Sequence, residues 1–82
     1  MVAAFVLITV PAKRSGVVVK LLRKIPQVKE AAAVYGETDL VAKVEAKTLP
    51  ELDRLIMEKI QGSPEVKSTR TFITVEKLHW TR

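Results

Sequence analysis

Cysteine is absent from this chain of 82 residues, and histidine occurs once, at His79. Disulfide bonds are therefore excluded as a source of stability. Metal sites usually collect several His, Cys or carboxylate side chains, and no such cluster is visible along the sequence, so we expect neither a metal nor a cofactor. The three glycines do not form the pattern of a phosphate-binding loop. The sequence contains no recognisable catalytic centre, and we do not expect an enzyme.

Long hydrophobic runs are also lacking. No stretch approaches the ~20 apolar residues that a membrane span requires, so we expect no membrane contact. The first ten residues are apolar, but Lys13 and Arg14 follow this run, whereas a signal peptide carries its positive charges in front. We interpret the run as a β-strand and expect a cytoplasmic protein.

The length and composition of the chain predict one small domain that covers positions 1–82. Of these residues 48% are hydrophobic and only 5% are aromatic, and Val, Ala, Leu and Ile supply the apolar content. A small chain buries a modest share of its surface, so oligomerisation is an attractive way to bury more. The net charge of +5 is spread along the chain, which favours an ordinary solvated surface over a nucleic-acid-binding one.

A short element occurs twice. Pro26-Gln27-Val28-Lys29 returns as Pro64-Glu65-Val66-Lys67. Each copy follows a helix-like segment and precedes a β-rich one. Two copies in a chain of this length indicate two β-α-β halves that form one sheet.

Apolar spacing predicts four strands and two helices. The strands are predicted at 2–10, 28–34, 40–46 and 66 to about 78. The first helix is predicted to begin near Ser15 and to end before Pro26. The second is predicted to begin with a capping box formed by Thr48 and Glu51 and to end at Gly62.

This order predicts an α+β fold, a ferredoxin-like βαββαβ antiparallel sheet with both helices on one face. The first strand is central in such a sheet. It is apolar toward both faces, with Val2, Ala4, Val6 and Ile8 on one and Ala3, Phe5 and Leu7 on the other. The face that no helix covers would be an exposed apolar patch, and a second sheet packed on it would bury that patch, so we expect dimerisation through the sheets, as in dimeric α/β-barrels.

Two polar segments are candidates for a ligand site. In the first, Gly36 is expected to supply a positive φ in a hairpin, and Glu37 and Asp39 present carboxylates. Asp39 either hydrogen-bonds the turn or faces a small zwitterionic ligand. In the second, the hydroxyls of Thr69 and Thr71 either follow β propensity or are the few placed polar groups of a pocket.

These segments resemble the C-terminal effector domain of the Lrp/AsnC family of transcriptional regulators, also called the RAM domain. The resemblance covers nearly the whole chain. Thr38 stands where the family often has an aromatic residue. The matching residues are Ile25-Pro26-Gln27-Val28, Gly36-Glu37-Thr38-Asp39-Leu40 and Val66-Lys67-Ser68-Thr69-Arg70-Thr71-Phe72-Ile73.

The resemblance implies an amino acid or related small-molecule effector, bound between dimers that join into octamer-like rings. In that case Asp39 would face the ammonium group of the ligand, and backbone amides around Gly36 its carboxylate. The ligand-binding residues that it implies are Gly36, Glu37, Thr38, Asp39, Thr69 and Thr71.

The usual members of the family also carry an N-terminal helix-turn-helix domain. Because the first residues here are already predicted as a strand, we expect a stand-alone effector domain. Such a domain would bind no specific DNA sequence itself, and it could co-assemble with full-length Lrp/AsnC regulators.

Two other functions stay open. An enzyme of the dimeric α/β-barrel type would share the sheet-to-sheet dimer, but the single histidine at position 79 lies far from the predicted hairpin in the sequence. Non-specific nucleic-acid binding through the basic surface is the other. RNA-binding modules of this topology stack bases on aromatic side chains of the central strands, and Phe5 and Phe72 are the only phenylalanines.

Overall fold

A computed structural model, which describes all residues, 1–82, contains one antiparallel sheet of four strands. A π-helical turn, Ile56–Gln61, extends the second helix, and a 3-10 turn, Glu76–Leu78, follows the last strand. The predicted βαββαβ order and the α+β fold class are confirmed. The elements are β1 Val2–Thr9, α1 Ser15–Arg23, β2 Val28–Ala33, β3 Leu40–Ala46, α2 Leu49–Leu55 and β4 Ser68–Ile73.

β1 lies in the centre of the sheet and pairs antiparallel with β3 on one side and with β4 on the other. Its residue Val6 stands opposite Ala42 of β3 and opposite Thr71 of β4. β2 and β4 are the edge strands, and the β2–β3 pairing shifts its register between Val28 and Glu30. The central position predicted for the first strand is therefore confirmed.

One hydrophobic core lies between the sheet and the helices. Successive residues of a strand point to opposite faces, and β1 shows this alternation clearly, since Val6 is fully buried while Phe5 is 38% exposed. β3 buries every second residue from Leu40 to Ala46. The helices cover the same face of the sheet with Val18, Leu22, Leu52, Leu55, Ile56 and Ile60.

α1 forms although Val17-Val18-Val19 is a run of residues with low helix propensity. Packing decides the outcome, because the helical spacing places Val18 and Leu22 on one side, where both are fully buried. The helix spans Ser15–Arg23 and stops before Pro26, close to the predicted bounds.

α2 begins at the predicted cap. The amide of Glu51 donates to Oγ1 of Thr48 at 3.3 Å, while the Glu51 carboxylate makes no return hydrogen bond, so only half of the expected capping box is formed. The helix widens into the π-helical turn without losing its apolar side, since Ile56 and Ile60 stay buried. At Gly62 a Cβ atom would overlap the carbonyl oxygen of Glu58, which explains why glycine ends this segment.

The last strand is much shorter than predicted. β4 covers Ser68–Ile73, whereas the sequence predicted a strand from 66 to about 78. The reason is the length of its partner. Ile73 already stands opposite Ala4, and after the amide of Thr74 has donated to the carbonyl of Ala3 at 2.9 Å, β1 has almost no residues left to pair. The chain leaves the sheet there and forms the 3-10 turn.

The second face of the sheet, which we call the open face, is not covered by a helix. Phe5 and Phe72 stand opposite each other on this face and are 38% and 50% exposed. Leu7 and Val41 form the neighbouring pair and are half-buried. The ring of His79 meets the Phe5 ring edge-on at 6.4 Å. The expected uncovered face, partly apolar, is therefore present.

No helix of this fold combines the length and the apolar character that crossing a membrane would require.

Two leucines of α2 provide a matched test of the core. Leu52 is fully buried, whereas Leu49 is 43% exposed. We expect Leu52→Ala to lower the free energy of unfolding by about 2–5 kcal/mol, because it removes buried methylene groups and leaves a cavity. Leu49→Ala should change it by less than about 1 kcal/mol. Urea unfolding at one protein concentration measures both, and equal losses would contradict the described position of the core.

Candidate functional site

The hairpin that joins β2 to β3 is closed by a hydrogen bond from the amide of Val34 to the carbonyl of Asp39 at 3.0 Å. Gly36 lies within it at φ 141°, so the predicted positive φ is confirmed. Residues other than glycine rarely adopt this conformation, and a side chain at this position would strain the turn.

Asp39 ties the hairpin to the end of β1. Its Oδ2 accepts a hydrogen bond from the amide of Val10 at 2.9 Å, and its own amide donates to the carbonyl of Ile8 at 3.1 Å. The residue is half-buried. These bonds agree with the first of the two expected roles, in which Asp39 serves the turn.

Thr38 makes a second connection to the same place. Its hydroxyl donates to the carbonyl of Ile8 at 2.9 Å. Glu37, one residue earlier, is exposed and its carboxylate makes neither a hydrogen bond nor an ion pair within the chain. The hairpin therefore has a fixed base and one free carboxylate near its tip.

Thr69 and Thr71 lie on the other face of the sheet. They stand opposite Ile8 and Val6, two core residues, so their side chains point to the face that carries the helices. Oγ1 of Thr69 accepts a hydrogen bond from the side-chain amide of Gln61 at 2.7 Å. Within one chain, these two threonines and Glu37 do not converge on one site.

A shallow pocket of about 290 Å³ lies on the open face beside the hairpin. It combines one apolar residue with two hydroxyls and two opposite charges. We call it the corner pocket, because it lies where β1 ends and β4 begins. Its lining residues are Leu7, Thr9, Glu37, Thr38 and Arg70. Asp39 lines a different pocket of about 310 Å³, with Ser15, Ala33, Val34 and Tyr35.

Arg70 is the pocket residue that the sequence-based candidates omitted. It stands opposite Leu7 on the open face, and its guanidinium lies 5.8 Å from the centre of the Phe72 ring. The signal that could have identified it is strand alternation, since Arg70 lies between Thr69 and Thr71 and must point to the opposite face. The hydroxyl groups of Thr69 and Thr71 indicate a polar site, but the parity of the strand places both residues on the helical face.

No group of three or more His, Asp or Glu side chains is close enough together to hold a metal ion. His79 packs against Phe5, and its ring is part of neither the corner pocket nor the pocket at Asp39. The side chains that the corner pocket brings together suit binding of a small polar molecule by hydrogen bonds and charge.

Comparison with protein families gives a match over residues 3–81, to the Lrp/AsnC ligand binding domain. A curated relative, an uncharacterized HTH-type transcriptional regulator of Pyrococcus horikoshii, is 33% identical over 79 residues, which are 96% of this chain and 50% of the relative. The chain thus spans about half the length of the first curated relatives that it matches.

Two further proteins are similar to this chain, one over its whole length and the other over a small part of its length. The crystal structure of FFRP-DM1 superposes with a TM-score of 0.89 and 47% identity, covering 92% of this chain and 100% of that one. Homocitrate synthase of Sulfurisphaera tokodaii is 39% identical over 61 residues, which are 74% of this chain but only 13% of that protein.

Thr38→Val tests the attachment of the hairpin. The substitution keeps the shape of the side chain and removes the hydroxyl that donates to Ile8, so we expect a loss of about 0.5–1.5 kcal/mol in the free energy of unfolding. Thr71→Val is the matched control, because the Thr71 hydroxyl is exposed and makes no hydrogen bond. Chemical denaturation measures both, and an unchanged Thr38→Val variant would show that this bond does not stabilise the fold.

Proposed function

The chain belongs to the Lrp/AsnC ligand-binding domain family, and on this basis we propose that it binds an amino acid effector as a homo-oligomeric regulatory domain. The observation that carries the proposal is the match over residues 3–81, because it is the ligand-binding part of the family that is matched. The corner pocket, with opposite charges and two hydroxyls in a small space, provides a place for such a ligand.

The different settings of the matched region support binding rather than catalysis. Segments similar to it make up 50% of an HTH-type regulator and, over 61 matched residues, 13% of a homocitrate synthase. A domain that occurs in both a transcriptional regulator and a synthase must have a function that is useful to both proteins. Sensing a metabolite meets this condition, whereas a catalytic or DNA-reading role would suit only one of them.

The proposed site is built on the hairpin. Gly36 and Asp39 set the shape of the turn, through a positive φ and the bond to Val10, while Glu37 and Thr38 line the corner pocket. Thr69 and Thr71 point away from this pocket in the same chain. We propose that they reach a ligand from a neighbouring copy in the assembly.

Dimerisation through the open face is the second part of the proposal. Phe5, Val41 and Phe72 form an apolar strip across three strands, flanked by Lys43 and Glu30. Leu7 lies beside this strip and also lines the corner pocket, which we place at the rim of the dimer interface. Burying several hundred Å² of such surface contributes several kcal/mol, at roughly 25 cal/mol per Å². An octamer-like ring of dimers, and co-assembly with full-length Lrp/AsnC regulators, rest on the family resemblance.

A thermal-shift screen against the twenty standard amino acids tests ligand binding. A ligand that binds only the folded state, at one hundred times its Kd, adds about 2.7 kcal/mol of stability. For a domain of this size that raises Tm by roughly ten degrees or more. We expect one amino acid, or a chemically related few, to produce such a shift.

Ammonium acetate at the same concentration is the control, because it supplies an ammonium and a carboxylate that are not joined. A screen in which no amino acid raises Tm above this control would contradict amino acid binding.

Light scattering at micromolar concentration tests the dimer. We expect a mass that is a multiple of the 9.1 kDa chain. Val41→Arg places a charge in the apolar strip and should shift the mass toward one chain. Met57→Arg, at a 63% exposed position on the helical side, is the control and should leave the mass unchanged. A wild-type mass of one chain would contradict the proposal.

A further inference from the structure

We propose that the groove between α1 and β2 binds the extended C-terminal end of a partner protein as an added strand, and that Arg23 and Lys29 hold its free carboxylate. We call this groove the edge groove, because β2 is an edge strand of the sheet. It lies on the helical side, so a dimer formed through the open face leaves it accessible. The inference goes beyond amino acid binding and does not depend on it.

The edge groove contains the largest of the five pockets of the fold, with a volume of about 380 Å³. Its floor is apolar, because Val19 of α1 and Val28 and Ala31 of β2 line it. All three pack against the hydrophobic core and are still partly exposed. Such a floor can bury one aliphatic side chain of a partner. The other lining residues are Arg23, Lys29 and Glu30.

A row of backbone groups along β2 is directed away from the sheet. The only strand that pairs with β2 is β3, and the amide of Val34 donates to the carbonyl of Asp39 at 3.0 Å. Hydrogen-bonded residues alternate along an antiparallel pair, and the register runs without a shift from Glu30 to Ala33. The N–H and C=O groups of Ala31 and Ala33 therefore face the free edge, where an extended peptide can pair with them.

The middle of β2 lacks the features that usually protect an edge strand, which are lysine, proline or a bulge. Ala31-Ala32-Ala33 contains neither lysine nor proline, and its small side chains let another strand approach closely. The register shift of β2 lies earlier, between Val28 and Glu30. An added strand can therefore pair along 31–33 and must end near Lys29.

Positive charge lies where the added strand would end. Arg23 and Lys29 both line the groove, and neither forms an ion pair within the chain. Nζ of Lys29 donates to the carbonyl of Pro26 at 3.0 Å, which holds it beside the bulge and leaves it two further donors. A strand added antiparallel to β2 places its C-terminal carboxylate at this point. Arginine offers two parallel N–H donors that match such a group.

The same charges disfavour a second copy of this chain as the occupant. Two β2 strands paired edge to edge would bring two copies of α1 alongside each other. α1 contains the basic residues Lys20 and Arg23 and no acidic residue, so like charges would oppose this contact. A partner that ends in an aliphatic residue with a free carboxylate supplies the opposite charge and a side chain for the apolar floor.

Fluorescence polarisation with matched peptides tests the proposal. The probe is a short dye-labelled peptide of alternating threonine and valine that ends in valine with a free carboxylate. A second peptide ends in a carboxamide, and a third has N-methylated valines, which cannot donate the backbone hydrogen bonds of an added strand. We expect the first peptide to bind, and the other two to bind roughly tenfold more weakly or worse.

Matched variants locate the binding on the edge groove. Ala31→Pro removes an N–H that faces the free edge, where proline is tolerated, and should weaken binding of the first peptide roughly tenfold or more. Ala31→Ser keeps this N–H and should bind like the wild type. The double variant Arg23→Gln, Lys29→Gln should abolish the preference for the carboxylate over the carboxamide, whereas Lys59→Gln, an exposed change on the second helical segment, should not.

Three results would overturn the proposal. The first is an absence of binding at millimolar peptide, and the second is equal affinity for carboxylate and carboxamide. The third is an Ala31→Pro variant that lowers the oligomeric mass in light scattering without weakening peptide binding, because β2 is then an interface between copies. The Arg23→Gln, Lys29→Gln variant changes only exposed side chains, so it decides the charge assignment even where Ala31→Pro fails to fold. The amino acid screen is read separately, and none of these results bears on it.

Discussion

The structure depends on one strand, β1, which is hydrogen-bonded along both edges and packs on the helices with one face. Its partners are β3 on one edge and β4 on the other. Its other face carries Phe5 and Leu7 on the open side of the sheet. A strand with hydrogen-bonded partners on both edges cannot slip in register without turning its core residues outward, so β1 determines the position of everything packed against it.

The geometry of the candidate site is determined by the end of β1. The carbonyl of Ile8 accepts from both the amide of Asp39 and the hydroxyl of Thr38, and the amide of Val10 donates to Asp39. Leu7 and Thr9 of the same strand line the corner pocket. Thr38 and Asp39 thus attach the hairpin to the sheet, while Glu37 lines the corner pocket without a partner in the chain.

The parts of the fold that follow from local pattern could be predicted from the sequence. Alternation in 40–46 identified β3, helical spacing identified α1, and Thr48 marked the start of α2. The end of β4 could not be predicted, because it depends on where its partner β1 runs out, at Ala3, which is 71 residues away from Thr74 in the sequence. The same holds for Asp39, whose acceptor role requires the amide of Val10 to be nearby in space. At β4 the information was present, since parity separates Arg70 from its threonine neighbours.

The strand order also has a consequence for how the chain folds. β2 and β3 are neighbours in sequence and form a hairpin, which requires the closure of only a short loop. β4 has β1 as its sole partner, and Ala4 pairs with Ile73 near the far end of the described residues. We therefore expect β4 to pair with β1 more slowly than β2 pairs with β3, because pairing between residues far apart in the sequence is slow. The corner pocket is lined by residues of β1, the hairpin and β4, so a partly folded chain that lacks the β1–β4 pairing has no corner pocket even where its hairpin is formed.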